Sequence, residues 1–308
     1  MKFSLTYPLI AHPYDPAFLE KASVIRFARA AEEAGFDGLG FTDHPVPSQR
    51  WLDHGGHDAL DPFAALAFCA AVTDRIRLIP NIVVLPYRNP FLSAKSIATI
   101  DVLSGGRFTL ATAIGYLRPE YRALGVDFDA RGELFEEALE VMKGIWTTDD
   151  YAFEGPRFIA RGNTANPKPV QRPHPPIWIG GNGQRARQRV ADHAQGWIPF
   201  PANEVLSKTA RTPRLETLAD LRGMLDDLWQ RVEAAGRDRS EIDVHFVCSA
   251  GGAPGTAVFD AAVHRAGLAE LAELGVTWVG VGLPGGRVDE SIAALEAYAE
   301  QVIRPLRG

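Results

Sequence analysis

Phe36-Asp37-Gly38-Leu39-Gly40-Phe41-Thr42-Asp43-His44 is the stretch that decides the fold. An apolar strand here runs directly into an Asp-His pair at the start of a loop. A helical stretch, residues 17–34, precedes it and Gly35 ends that stretch, so the segment reads as the second βα unit of an alternating chain. Apolar runs of four to eight residues recur between segments of helical period, the pattern of buried parallel strands joined by crossover helices. Eight strands are expected, at 2–7, 38–42, 76–83, 108–114, 176–180, 196–200, 243–249 and 278–282. The intervening helices fall at 17–34, 62–72, 90–103, 131–146, 184–193, 217–235, 255–274 and 289–303. Eight such units predict a (β/α)8 barrel, an α/β fold whose strand C-termini carry the chemistry.

Composition suits one domain spanning 1–308. The chain is 46% hydrophobic and 23% charged, with 32 basic against 38 acidic residues. That balance gives no basic track for nucleic acid and no cationic patch for a membrane surface. The N-terminus, Lys2-Phe3-Ser4-Leu5-Thr6-Tyr7, alternates like a strand and has no signal-peptide core, so a cytoplasmic location is expected. Cys69 and Cys248 lack the spacing of a metal site and are expected to be buried, unbridged thiols.

Three insertions exceed the minimal barrel: 45–60, 149–175 and 201–215. Long loops of this kind commonly serve as lids or binding loops. In the middle one, residues 151–158 alternate about Gly155-Pro156 and predict a small hairpin.

Several residues could carry chemistry. Gly180-Gly181-Asn182-Gly183 follows a strand and precedes a helix, where open backbone and free amides suit a phosphate, with Arg185, Arg187 or Arg189 adding charge. The same turn also satisfies a plain βα connection. A second glycine run, 282–287, follows the last strand. His44 is the natural proton acceptor near neutral pH. Asp43, its neighbour, can point to the other side of the twisted strand end, and a loop-filling role for His44 is the plainer alternative. Asn81 is a polar side chain at a position expected to be buried, and so needs a partner. Tyr116 would project into the same mouth as proton donor or as packing, whereas Arg118 and Glu120 read as solvent-facing. Trp51, Trp178 and Trp197 serve as flat surfaces or as core. His54-Gly55-Gly56-His57-Asp58 groups three potential ligands on a flexible loop, but nothing completes a metal site and none is expected. No serine elbow, Walker loop or Rossmann glycine fingerprint is present.

Four stretches together carry a resemblance: Thr42-Asp43-His44; residues 78–90, from Leu78 and Ile79 through Asn81 to Pro90; Asp101-Val102-Leu103-Ser104-Gly105-Gly106-Arg107; and residues 166–181, from Asn166 to Gly181. In order and spacing, over about residues 1–200, the chain resembles the luciferase-like flavin and deazaflavin oxidoreductases, specifically the coenzyme F420-dependent branch. The resemblance implies a cofactor lying across the C-terminal mouth with its phosphate at Gly180-Gly181-Asn182-Gly183, where Arg185 could add charge. It implies a non-proline cis peptide at Asn81-Ile82 backing the ring, and Asp43 and His44 contacting ring and substrate. Ala113 and Gly115 would line the site from Ala111-Thr112-Ala113-Ile114-Gly115, which leaves slightly less room than the glycine-rich strand end of many relatives. Tyr116 stands where the sugar-phosphate and alcohol dehydrogenases of this branch carry a Glu acid. The implied activity is hydride transfer between F420 and a small alkene, imine or carbonyl substrate, with His44 and Tyr116 as the catalytic pair, in a protein of a family whose members are often homodimers. Two readings stand beside it: a monooxygenase using reduced FMN and oxygen, and a non-catalytic ligand-binding barrel.

Overall fold

A computed structural model describes residues 1–308. Its strands are β1 (Lys2–Thr6), β2 (Gly38–Gly40), β3 (Arg77–Leu78), β4 (Val83–Val84), β5 (Leu110–Ala113), β6 (Tyr151–Glu154), β7 (Ile159–Asn163), β8 (Ile177–Gly180), β9 (Gly196–Ile198), β10 (Asp243–Val247) and β11 (Trp278–Val281). Nine of them form one curled parallel sheet in the order β3-β2-β1-β11-β10-β9-β8-β5-β4. The two ends of that order are neighbours in sequence: β3 and β4 lie either side of Ile79-Pro80-Asn81-Ile82, within the single strand expected at 76–83. Proline has no amide to donate to a ladder, which accounts for a break there. Leu78 also bridges to Phe108 just before β5, with Leu78 N–H on the Arg107 carbonyl and Thr109 N–H on the Leu78 carbonyl, both at 3.0 Å.

Burial follows this arrangement. Sixty-one residues form one apolar cluster. A second, inner group of Ile79, Ala111, Trp178, Ile198 and Trp278 packs together, with Trp178 and Trp278 edge-to-face at 5.1 Å. Trp197 is fully buried as well. Trp178 and Trp197 are therefore core residues, leaving Trp51 as the surface candidate.

Helices Pro90–Leu103 and Gln184–His193 occupy the expected residues. Asn89 and Asp61 cap their helices with side-chain oxygens and each is followed by Pro, as the sequence signals require. Elsewhere the boundaries move. The first helix starts at Lys21, behind a separate turn at Pro16–Leu19, and the helix expected at 255–274 spans only Ala261–Glu273, capped by Asp260. The hairpin expected at 151–158 is present as β6 and β7, antiparallel about Gly155. Short helices at Gln49–Leu52, Arg118–Ala123 and Glu204–Ala210 were not expected. Cys69 is buried, which pushes its thiol up to about 12, but Cys248, just past β10, is only half-buried, a correction to the expectation for it. No helix is long and apolar enough to cross a membrane.

Candidate active site

The C-terminal ends of β2, β4 and β5 converge on His44. Its Nδ1 lies 3.2 Å from Glu120 Oε2, and the Glu120 side chain is fully buried. The same oxygen accepts the Tyr87 hydroxyl at 2.9 Å, while Oε1 accepts Val46 N–H at 3.2 Å. The solvent-facing reading of Glu120 is therefore wrong. Arg118–Ala123 forms a helical turn that swings the carboxylate inward while Arg118 stays exposed on Asp129.

Three further rings surround His44. Trp51 packs on it at 4.5 Å between centroids, His57 meets it edge-on at 5.0 Å and Tyr116 stands at 6.5 Å. Trp51 and His57 come from the 45–60 insertion, which folds tightly because Gly56 sits against Trp51; a Cβ there would fall 2.4 Å from the indole. Burial pushes the Tyr116 hydroxyl up, the Glu120 charge adds to the rise, and contact with the Trp51 side chain offsets part of it. Burial also holds His57 below the ordinary histidine range. The enclosure is thus aromatic, with one imidazole backed by a carboxylate.

Asp43 does not point into this mouth. Its two oxygens are taken by Arg88 at 2.6 and 2.8 Å and by Val84 N–H at 2.8 Å, with only 3% of the residue exposed. The pair ties the end of β2 to the start of the 85–90 loop. Asn81 corrects another expectation. It is exposed and not buried, its amide donates to Thr6 Oγ1 at 2.7 Å, and the peptide to Ile82 is cis, as the resemblance implied. Ile82, Ala113 and Gly115 are half-buried.

At the end of β8, Gly180 approaches Ile82 so closely that a Cβ would meet its Cδ1 at 2.5 Å. The half-buried Gly181 has φ +119°, and Gly183 begins helix Gln184–His193 with no side-chain cap and open space beside it. The first amides of that helix are thus free for an acceptor. Asn182 faces the other way: fully buried, it donates to the Phe200 and Pro213 carbonyls at 2.8 and 3.2 Å and accepts Phe200 N–H at 3.0 Å. Of the three arginines, Arg187 and Arg189 are buried on Asp227 and Glu136, and Arg185 is exposed.

Sequence reasoning missed an arginine group beside this turn. Arg118, Arg131 and Arg211 stack on Phe128 at 4.2, 4.0 and 5.1 Å. Arg211 precedes Thr212, whose hydroxyl takes the Asn182 amide at 3.3 Å. Burial lowers Arg131, Arg211 and Arg118 crowd it, and its Nε has no partner. An uncapped helix start, an open glycine turn and an unpartnered guanidinium N–H fit the phosphate end of a flavin-type cofactor.

His57 apart, the other candidates lie away from His44. His54 Nδ1 is 2.7 Å from the Arg50 carbonyl and His57 Nδ1 is 3.0 Å from that of Asp58, and no three His, Cys, Asp or Glu side chains group closely enough to hold a metal. The second glycine run packs Gly285 against Pro8 and Ile10. A concavity lined by Lys2, Asp37, Arg77 and Trp278 sits at the N-terminal ends of the strands, opposite His44.

The chain belongs to the luciferase-like monooxygenase family, whose model matches residues 9–250. An uncharacterised protein of Mycobacterium tuberculosis is 32% identical, over 89% of this chain and 92% of its own length. The FMNH2-dependent dimethylsulfone monooxygenase of Pseudomonas putida is 33% identical, over 70% of this chain and 58% of its own. Among solved structures, monooxygenase RslO1 from Streptomyces bottropensis superposes with a TM-score of 0.83 at 21% identity, covering 99% of this chain and 100% of that one. The coenzyme F420-dependent tetrahydromethanopterin reductase from Methanopyrus kandleri gives 0.74 at 18%, covering 99% of each. Members of the family are oxidoreductases, and of these relatives one is FMNH2-dependent and one coenzyme F420-dependent.

Proposed function

We propose that this protein transfers hydride between coenzyme F420 and a small neutral substrate of the alkene, imine or carbonyl class, at the mouth of a sheet closed as a (β/α)8 barrel in one domain. The observation that carries the reading is the His44 enclosure: one carboxylate-backed imidazole among Trp51, His57 and Tyr116, with no unpaired cation in the group to hold a phosphorylated substrate. Such a site suits a flat, uncharged compound that needs one proton alongside its hydride. Bound there, the deazaflavin supplies the hydride donor or acceptor.

This chain's own residues divide the rest of the work. Gly180, Gly181 and Gly183, with Arg185 and the first helix amides, hold the phosphate. Asn81, Ile82, Ala113 and Gly115 lie against the ring, and Asp43 and Asn182 act through the backbone they fix. His44 moves the proton, and Tyr116 orients the substrate or donates in its place. The arginines on Phe128 support a ligand carrying more negative charge than one phosphate, as a deazaflavin with a carboxylate tail does. A homodimer, implied by the resemblance, belongs to the same reading.

A monooxygenase using reduced FMN is the second reading, favoured by the 33% identity to the Pseudomonas putida enzyme. Anaerobic oxidation of reduced F420 in the presence of unsaturated and carbonyl acceptors tests the first. His44→Ala should lower that turnover by roughly 100-fold and leave cofactor affinity within a few-fold. Oxygen uptake with reduced FMN, and no reaction with reduced F420 across the acceptor panel, would establish the second reading instead.

A further inference from the structure

Which nitrogen of His44 is free for chemistry depends on what the other one meets. Three donors converge on Glu120: Val46 N–H on Oε1, and the Tyr87 hydroxyl and His44 Nδ1 on Oε2. A carboxylate has only acceptor capacity, so a neutral His44 facing it must carry its proton on Nδ1. His44 has no other hydrogen-bond partner in the protein, and its Nε2 is bare.

We propose that Glu120 is a positioning residue that fixes the Nδ1–H tautomer of His44 and presents Nε2 as the proton acceptor. Val46 and Tyr87 set the carboxylate itself, one donor to each oxygen, so the geometry is held from three separate segments: the 45–60 insertion, the 85–90 loop and the turn after β5. Burial of Tyr87 beside Glu120 keeps its hydroxyl protonated and donating. The role in turnover rests on the function proposed above; the tautomer does not.

The isosteric variant E120Q reverses the arrangement. Val46 N–H demands the amide oxygen on its side, which turns the amide NH2 toward His44 and Tyr87. His44 Nδ1 must then accept, and its proton moves to Nε2. Tyr87 adapts, because a hydroxyl can accept as readily as it donates.

The test is a two-bond proton–nitrogen correlation spectrum of 15N-histidine-labelled protein without cofactor, recorded at about pH 8, above the ordinary histidine range. His44→Gln identifies the signal among the eight histidines. The wild type is expected to show a protonated Nδ1 and a bare Nε2, E120Q the reverse, and Tyr87→Phe the wild-type pattern. Wild-type protein with its proton on Nε2 overturns the proposal without any variant having to fold, and so does an E120Q spectrum unchanged from wild type. In turnover, E120Q should lose at least tenfold in kcat with KM within threefold. A reversed tautomer with unchanged kcat would uphold the positioning and contradict the function proposed for His44.

Discussion

At the scale of single residues, burial and pairing decide what each ionisable group can do. His245, inside the sheet on β10, is 2.8 Å from Ser4 Oγ, and burial pushes it down to about 4. Its folded value lies below the unfolded one, so between about pH 6.5 and 4 the unfolded chain binds the extra proton. The stabilisation from keeping this ring neutral is complete above about pH 6.5 and is lost as pH falls toward 4, up to about 3 kcal/mol. Urea denaturation at pH 7 and pH 5 checks it: wild type should lose stability over that interval, and His245→Phe should lose markedly less. Asp43 shows the same rule in a pair. Adjacency to His44 was readable in the sequence, but the side chain belongs to Arg88, a residue 45 positions away that no local pattern announces. Glu120 was misread for a related reason. Pro119-Glu120 looks like a polar turn, and only the short helix over Arg118–Ala123, packed through Tyr121, turns that carboxylate into the interior.

Elements place these residues. The turn Gly180-Gly181-Asn182-Gly183 was recognisable because glycines between an apolar strand and a helix have few other uses. The part hidden from sequence was that Asn182 binds the turn to Pro213 in the 201–215 insertion and to Phe200 just before it. Asn182→Ala strands those groups in a buried site, and should cost about 2–4 kcal/mol in urea denaturation while weakening cofactor binding, read by fluorescence titration. A variant as stable as wild type would show that the insertion is held by other contacts. The 45–60 insertion behaves likewise. Its length marked it as a lid, but the stacking of Trp51 on His44 depends on Gly56 letting the chain close beneath the indole. The arginines on Phe128 were out of reach, because they come from three separate segments, and proximity across 118, 131 and 211 is a property of the fold.

For the whole molecule, periodicity carried most of the information. Eight apolar runs became the parallel sheet, since buried parallel strands are apolar on both faces and stand out from their surroundings. What periodicity could not see was the interruption at Pro80-Asn81-Ile82, which divides one strand into β3 and β4, exposes Asn81 beside the mouth and brings Ile82 against Gly180. The Gly180–Gly183 turn, the Asn81-Ile82 segment and the His44 enclosure thus stand at one end of the sheet, an arrangement suited to the single extended cofactor proposed above, with substrate over it. The direct test is a side-by-side titration of cofactor-free protein with F420 and FMN, each oxidised and reduced, following tryptophan and cofactor fluorescence. The account predicts saturable binding of F420 at least tenfold tighter than FMN; tighter binding of FMN would contradict the deazaflavin assignment, and binding of neither would contradict a cofactor site at this mouth.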